Sequence, residues 1–167
     1  MVKGLKETSS IIQIGASVTE SAANTYTTQQ VDLQLNPLDN EVFVVYAVDI
    51  DILEPNMVAG TTTDIKGSLS TTSRTTVGGI NDTNVLAMNR ITMQESGGQF
   101  VRGAFASDSA PSSQLPYLAI IATNDFFLNI EGSNNTIARS MNARVYGVRA
   151  RADASVYAAL VQSELLS

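Results

Sequence analysis

The sequence EVFVVYAVDIDIL, from Glu41 to Leu53, is the strongest candidate for a core element in this chain of 167 residues. Its β-branched and aromatic residues follow one another without a break, which predicts a central β-strand. Because acidic side chains enter only near its end, we expect burial on both faces at first and on one face later. Alternation places Val42, Val44, Tyr46, Val48, Ile50 and Ile52 on one face and Phe43, Val45, Ala47, Asp49 and Asp51 on the other.

Other segments of strand length surround this one and indicate the fold class. The count of roughly seven to nine strands at roughly 10- to 12-residue spacing, with turn residues between them, is typical of an all-β antiparallel sandwich or barrel. The Thr/Ser/Gly-rich region 56–83 suits the crossovers of a jelly roll better than the short turns of an up-and-down barrel. Predicted strands lie within 25–35, 65–75, 84–94 (where a helix is the alternative), 100–105, 117–131 and 141–151.

The connections between these segments also carry predictions. The turn at 36–40 predicts an antiparallel hairpin between the strand in 25–35 and the central strand. Within 117–131, two apolar runs flank Thr123-Asn124-Asp125, which predicts either a tight hairpin or one bent strand. From Asp153, a candidate N-cap, the period becomes helical and predicts a short C-terminal helix. Its apolar stripe contains Val156, Tyr157, Leu160, Val161 and Leu165.

The first 24 residues form a separate stretch, rich in Ser, Thr and Ala, that we assign as an N-terminal arm. Residues 25–167 are then a single sandwich domain, a length that buries a sizeable core without disulfides or metal. Two interpretations of the arm stay open. Ser10 to Val18 alternates as an opening strand that pairs with the main sheet, or the arm is ordered by a neighbouring subunit.

Composition excludes several classes of function. The chain has no His and no Cys, which excludes the usual zinc sites, Ser-His-Asp and Cys-His nucleophiles, iron–sulfur clusters and disulfides. We therefore expect no cofactor and no catalytic centre of these kinds. Charged residues are only 16% of the chain and the net charge is −6, a low charge density compatible with packing against copies of itself. No apolar run approaches the roughly 20 residues of a transmembrane segment.

Two acidic residues at the end of the central strand are the candidate metal ligands. Asp49 and Asp51 lie two residues apart on one face, so their carboxylates could share a Ca²⁺ ion or act as a pair of catalytic acids. The simpler interpretation is the solvent face of a strand that leaves the core.

Arginines cluster late in the chain, with Arg144 on one face of the last strand and Arg149 and Arg151 on the other. Arginine pairs with carboxylates across interfaces or neutralises phosphate. As roles for these arginines, subunit contacts and plain solvated charge are both favoured over nucleic-acid binding, because the chain has 16 acidic residues and only ten basic ones. Only one aromatic residue, Tyr146, lies among these arginines, whereas a single-strand binding platform requires several. We expect no strong nucleic-acid binding.

Taken together, three stretches resemble the single jelly-roll coat proteins of icosahedral viruses. They are VDLQLNPLDNEVFVVYAVDIDI (31–52), YLAIIATNDFFLNIEGSNN (117–135) and MNARVYGVRARAD (141–153), preceded by the Ser/Thr-rich arm. The resemblance implies a jelly-roll sandwich of about eight strands that self-assembles through loops and arms, without catalysis, in the virion. The chain departs from that family in lacking a strongly basic arm.

The first hypothesis is therefore a virion structural protein, a capsid or capsid-associated subunit that contacts copies of itself and other virion proteins as a homo-oligomer. A ligand-binding β-sandwich, such as a carbohydrate or receptor module, is the alternative, although the chain has no Trp to stack on sugars. Phage decoration or tail proteins, and an enzyme that uses Asp49 and Asp51, are further alternatives. The candidate subunit-interface residues are Ile11, Ile12, Ile14, Arg144, Arg149, Arg151, Val161, Leu165 and Leu166.

Overall fold

The computed structural model describes residues 3–106 and 115–166, and within them the chain forms two antiparallel β-sheets and one C-terminal α-helix. The all-β sandwich expected from the sequence is confirmed. In chain order the strands of the described part are β1 (Leu5–Glu7), β2 (Ile12–Thr19), β3 (Thr27–Asp32), β4 (Glu41–Ile52), β5 (Thr62–Ser70), β6 (Val85–Ser96), β7 (Gln99–Ala106), β8 (Ala119–Ile121), β9 (Asp125–Ser133) and β10 (Ser140–Ala152), and the helix is α1 (Ala154–Leu166).

Sheet A contains β8, β4 and β10 side by side, and both N-terminal strands pair with the far side of β10. β2 lies along residues 140–147 of β10 and β1 along its last residues. The arm is thus an edge of the chain's own sheet, as the first interpretation of Ser10 to Val18 predicts. Sheet B has the order β3-β9-β5-β6-β7.

The connectivity is that of a jelly roll. With β1 and β7 set aside, the remaining strands fall into two four-stranded sheets, β2-β10-β4-β8 and β3-β9-β5-β6. In each sheet, strands from the two halves of the chain are neighbours, as when a long hairpin is folded over on itself. β7 extends sheet B by one strand through a tight hairpin with β6.

The structure confirms the predicted central strand, β4, but the prediction put the first residues of this strand on the wrong faces. Opposite β10 the register shifts between Tyr146 and Gly147, so that Tyr46 is an extra residue in β4. Because a bulge of one residue reverses the alternation that follows, Phe43 and Val45 share the inner face with Val48 and Ile50. Val42 and Val44 lie on the outer face, under α1. Burial on both faces at the start and on one face at the end is as expected, since Asp49 and Asp51 are exposed.

The predicted hairpin between β3 and β4 is wrong. β3 pairs with β9 in sheet B, whereas β4 lies in sheet A. The chain crosses between the sheets at residues 33–40, where the buried Leu33 and Leu35 fill the end of the core. Left-handed backbone at Gln34 (φ 53°) and Asn40 (φ 51°) turns the chain between the two sheets. Turn-forming residues in a sequence do not distinguish such a crossover from a hairpin.

The C-terminal helix covers half of the outer face of sheet A. Val156, Tyr157, Leu160 and Val161 pack on the outer side chains of β1, β4, β8 and β10. The most buried side chain of the helix was not predicted to face the sheet. It is Glu164, which is 7% exposed and whose carboxylate accepts hydrogen bonds from the Ala122 and Thr123 amides. Ala122 to Asn124 is a corner between β8 in sheet A and β9 in sheet B. Of the two alternatives predicted within 117–131, the tight hairpin therefore does not form, and the chain instead bends from one sheet into the other. Among the described residues, no helix is long and apolar enough to cross a bilayer.

Candidate subunit-interface surfaces

The candidate interface residues do not gather into one site. The structure distributes them over the β2 edge, the outer face of sheet A, the crossover at one end of the sandwich and the exposed end of α1. Each location has its own chemistry.

At the β2 edge, only one of the three isoleucines is available to a partner. Ile11 precedes the strand and is 66% exposed. Ile12 and Ile14 are half-buried and pack against the main core, because β2 turns its even-numbered residues inward opposite Gly147 and Val145 of β10.

The uncovered half of the outer face of sheet A is polar and concave. Arg144 lies between Gly15 on β2 and Asp49 on β4, and the next row is Ser17, Asn142 and Asp51. The Asp49 and Asp51 carboxylates have no hydrogen-bond or salt-bridge partner in the described part of the chain. No group of three metal-ligating side chains occurs there either. The depression offers both signs of charge in adjacent rows, a surface suited to polar contacts.

The other two arginines lie at the opposite end of β10 and are held within the subunit. The Arg149 guanidinium donates to the Leu33 carbonyl (2.8 Å) and the Gln34 carbonyl (3.0 Å), and pairs with Glu41 at 3.2 Å. Arg149 thereby fixes the crossover from β3 to β4. Arg151 forms an exposed salt bridge of 2.8 Å with Asp39.

The free end of α1 is apolar. Leu165 and Leu166 expose 69% and 79% of their surface, and the half-buried Val161 and Tyr157 lie beside them. We call these four residues the α1 surface. The prediction that Leu165 belongs to the inward apolar stripe of the helix is therefore wrong, because Glu164 occupies the inward position.

A fifth surface was not predicted as an interface. All eight residues of β7 are exposed, and they include Phe100 (43%), Val101 (65%) and Phe105 (43%). Among the described residues β7 pairs only with β6, so one side of its backbone is open. We call this side the β7 edge. The sequence signal was the run of apolar residues in 100–105, which indicates a strand and does not say that it is an edge.

Two tyrosines have shifted pKa values. Burial is the main cause that raises the pKa of Tyr26, whose hydroxyl lies 2.8 Å from both Asn129 Oδ1 and the Arg74 carbonyl oxygen, so that its single proton is shared between two acceptors. Burial also raises the pKa of Tyr46, and the Glu7 carboxylate, which accepts its hydroxyl at 3.0 Å, adds to the effect. Both phenols are therefore hydrogen-bond donors that join separate segments of the chain.

Comparison of the sequence with models of protein families finds no match, and a comparison with curated proteins finds none either. The class that the fold itself defines is an all-β sandwich with jelly-roll connectivity.

Proposed function

We propose that this chain is a virion structural protein, a capsid or capsid-associated subunit that assembles with copies of itself and with other virion proteins. Jelly-roll sandwiches serve in viral capsids, lectins and cupins. The cupin chemistry requires metal-binding histidines, which this sequence does not contain, and the absence of Trp weighs against a sugar-stacking lectin.

The observation that carries the proposal is the α1 surface. Leu165 and Leu166 are exposed by 69% and 79% and form an apolar patch that is contiguous with Tyr157 and Val161. Contiguous apolar patches of this kind mark protein–protein contact sites. In the proposed assembly a neighbouring subunit or another virion protein covers Leu165 and Leu166, while Ile11 and Arg144 contribute at the other faces.

Light scattering of the purified full-length chain tests the proposal. We expect a defined oligomer or shell for the unaltered protein and its dissociation in the variant Leu165→Lys/Leu166→Lys. The control Leu38→Lys/Ile137→Lys changes two other exposed apolar residues (93% and 52%) and is expected to leave the assembly intact. A stable monomer at all concentrations for the unaltered protein overturns self-assembly and favours a decoration protein or a ligand-binding module.

Deletion of residues 1–24 is a poor test here. It removes β1 and β2, which pair with β10, and with them Val18 of the core. Loss of assembly would then follow from loss of the fold.

A further inference from the structure

We infer that β7 pairs with β7 of a second copy of this chain, as antiparallel neighbours around a two-fold axis through Gly103. The inference rests on the proposed self-assembly and names one contact through which it occurs. Unpaired edges with apolar side chains are templates for strand addition, and natural proteins usually protect them with charge, proline or a bulge. β7 has one charged residue, Arg102, and none of the other devices in Gln99–Ala106.

The hairpin turn determines which backbone groups are open. Gly97 (φ 60°) and Gly98 (φ 80°) form a two-residue turn, so the flanking Ser96 and Gln99 are a hydrogen-bonded pair. Hydrogen-bonding groups then alternate along β7. The N–H and C=O groups directed away from β6 belong to Phe100, Arg102, Ala104 and Ala106.

Centring a second β7 on Gly103 satisfies all of these groups. Phe100 then lies opposite Ala106 of the second copy and Arg102 opposite Ala104, and each is a hydrogen-bonded pair. The two Gly103 residues face each other in the non-hydrogen-bonded position, where strands approach most closely.

The side chains fit the same register. Val101 and Phe105 lie on the outer face of sheet B, and the pairing sets Val101 of one copy opposite Phe105 of the other. An aromatic residue opposite a β-branched residue is a favourable cross-strand pair. Centring on Arg102 would instead oppose two guanidinium groups, and centring on Ala104 would leave Val101 beyond the paired residues.

Gly103 supplies an independent observation. A Cβ atom at this position would meet none of the described residues within 4 Å, and Gly103 is not among the described glycines with positive φ. The described part of the subunit therefore gives no steric reason for a glycine in the middle of this strand. Glycine within a strand marks a place where another backbone approaches closely, which is what the two-fold axis requires.

The test uses the absence of cysteine from the chain, so that a single introduced cysteine forms a disulfide only between copies. In Gly103→Cys the paired Cα atoms are about 4.5 Å apart, within the disulfide range of about 4.4 to 6.8 Å. In the matched control Ala104→Cys the two cysteines are diagonal, about 7 to 8 Å apart. Under mild oxidation we expect Gly103→Cys to give a covalent dimer of twice the subunit mass and Ala104→Cys to stay largely uncrosslinked.

A second pair of variants addresses affinity. Val101→Lys places charges in the pairing and is expected to raise the dimer dissociation constant about tenfold or more, measured by sedimentation. Ile80→Lys, at a residue of similar exposure (62% against 65%), is expected to leave it unchanged.

The outcomes separate the two proposals. Equal crosslinking of both cysteine variants, or none in a chain that light scattering shows to be assembled, overturns the β7 pairing and leaves the proposed function standing. A crosslinked dimer that forms nothing larger supports the pairing and contradicts assembly into a shell. A chain that is monomeric and uncrosslinked overturns both.

Discussion

Glu164 on α1 and Thr123 at the corner between β8 and β9 form a paired contact: the Glu164 carboxylate accepts the Thr123 amide at 3.0 Å and its hydroxyl at 2.7 Å. The same carboxylate accepts the Ala122 amide at 2.8 Å. In the described part of the chain, neither of the two amides pairs with a neighbouring strand. A charged acceptor in this buried position holds the last turn of α1 against sheet A.

The first prediction concerns this contact. Glu164→Ala leaves buried amides without an acceptor, which is expected to lower the free energy of unfolding by about 1 to 3 kcal/mol. Glu164→Gln keeps one acceptor oxygen, so its free energy of unfolding is expected to lie between those of Glu164→Ala and the unaltered protein. The measurement is urea denaturation followed by circular dichroism. Gln162→Ala, on the exposed face of the same helix, is the control, and an equal loss in both alanine variants would contradict the contact's role.

The second prediction concerns the bulge in β4. A Cβ atom on Gly147 would meet the Val44 carbonyl oxygen at 2.3 Å and the Phe43 ring at 2.7 Å. Since a backbone atom cannot rotate aside, Gly147→Ala is expected to destabilise the fold by about 1 to 3 kcal/mol.

Gly15 provides the matched control for this prediction. It lies on β2, the partner of β10, and a Cβ atom added there meets no atom of residues 3–106 and 115–166 within 4 Å. Gly15→Ala is expected to change the free energy of unfolding by less than about 0.5 kcal/mol. Denaturation midpoints that fall equally in the two variants would show that the bulge is not what selects glycine at position 147.

How far the sequence predicts the fold is seen in β4. The uninterrupted apolar run identifies the strand, and the late acidic residues correctly mark where its outer face becomes exposed. The faces predicted for residues 42 to 46 were wrong, because the bulge at Tyr46 depends on the pairing with Gly147 about 100 residues later in the chain. Alternation within a strand carries no information about a register shift in its partner.

Buried acidic residues were beyond sequence reasoning for a similar reason. Glu20 is 3% exposed and accepts the amides of Thr25, Gly132 and Arg139. Nothing near Glu20 in the sequence indicates that two of these donors, more than 100 positions away, converge on it. Of the candidate site residues, the pattern placed Arg144, Arg149 and Arg151 on the correct faces of β10. It could not show that Arg149 is engaged within the subunit.

The third prediction separates these arginines. Arg149→Ala removes hydrogen bonds from the Leu33 and Gln34 carbonyls and is expected to cost about 1 to 3 kcal/mol of unfolding free energy. Arg144→Ala is expected to leave stability within about 0.5 kcal/mol, because Arg144 is exposed on the outer face. If Arg144 contacts a neighbouring subunit as proposed, sedimentation of its variant will show weaker assembly. Stability loss in Arg144→Ala with unchanged assembly would reverse the two roles.

The last prediction follows from the raised pKa of Tyr26. Burial favours the neutral phenol, so the folded-state pKa lies above the unfolded value near 10. The resulting stabilisation is complete below pH about 10 and is lost as pH rises through the folded-state pKa. Tyr26→Phe removes this group. Below pH about 10 the variant is expected to be less stable than the unaltered protein, because Asn129 Oδ1 and the Arg74 carbonyl lose the hydroxyl proton that they share. At higher pH its stability should fall less steeply. Urea denaturation from pH about 8 to about 11 measures both slopes, and Tyr46, whose pKa is also raised, contributes equally to each. Parallel slopes for the two proteins would mean that Tyr26 ionises no less readily in the folded chain than in the unfolded one.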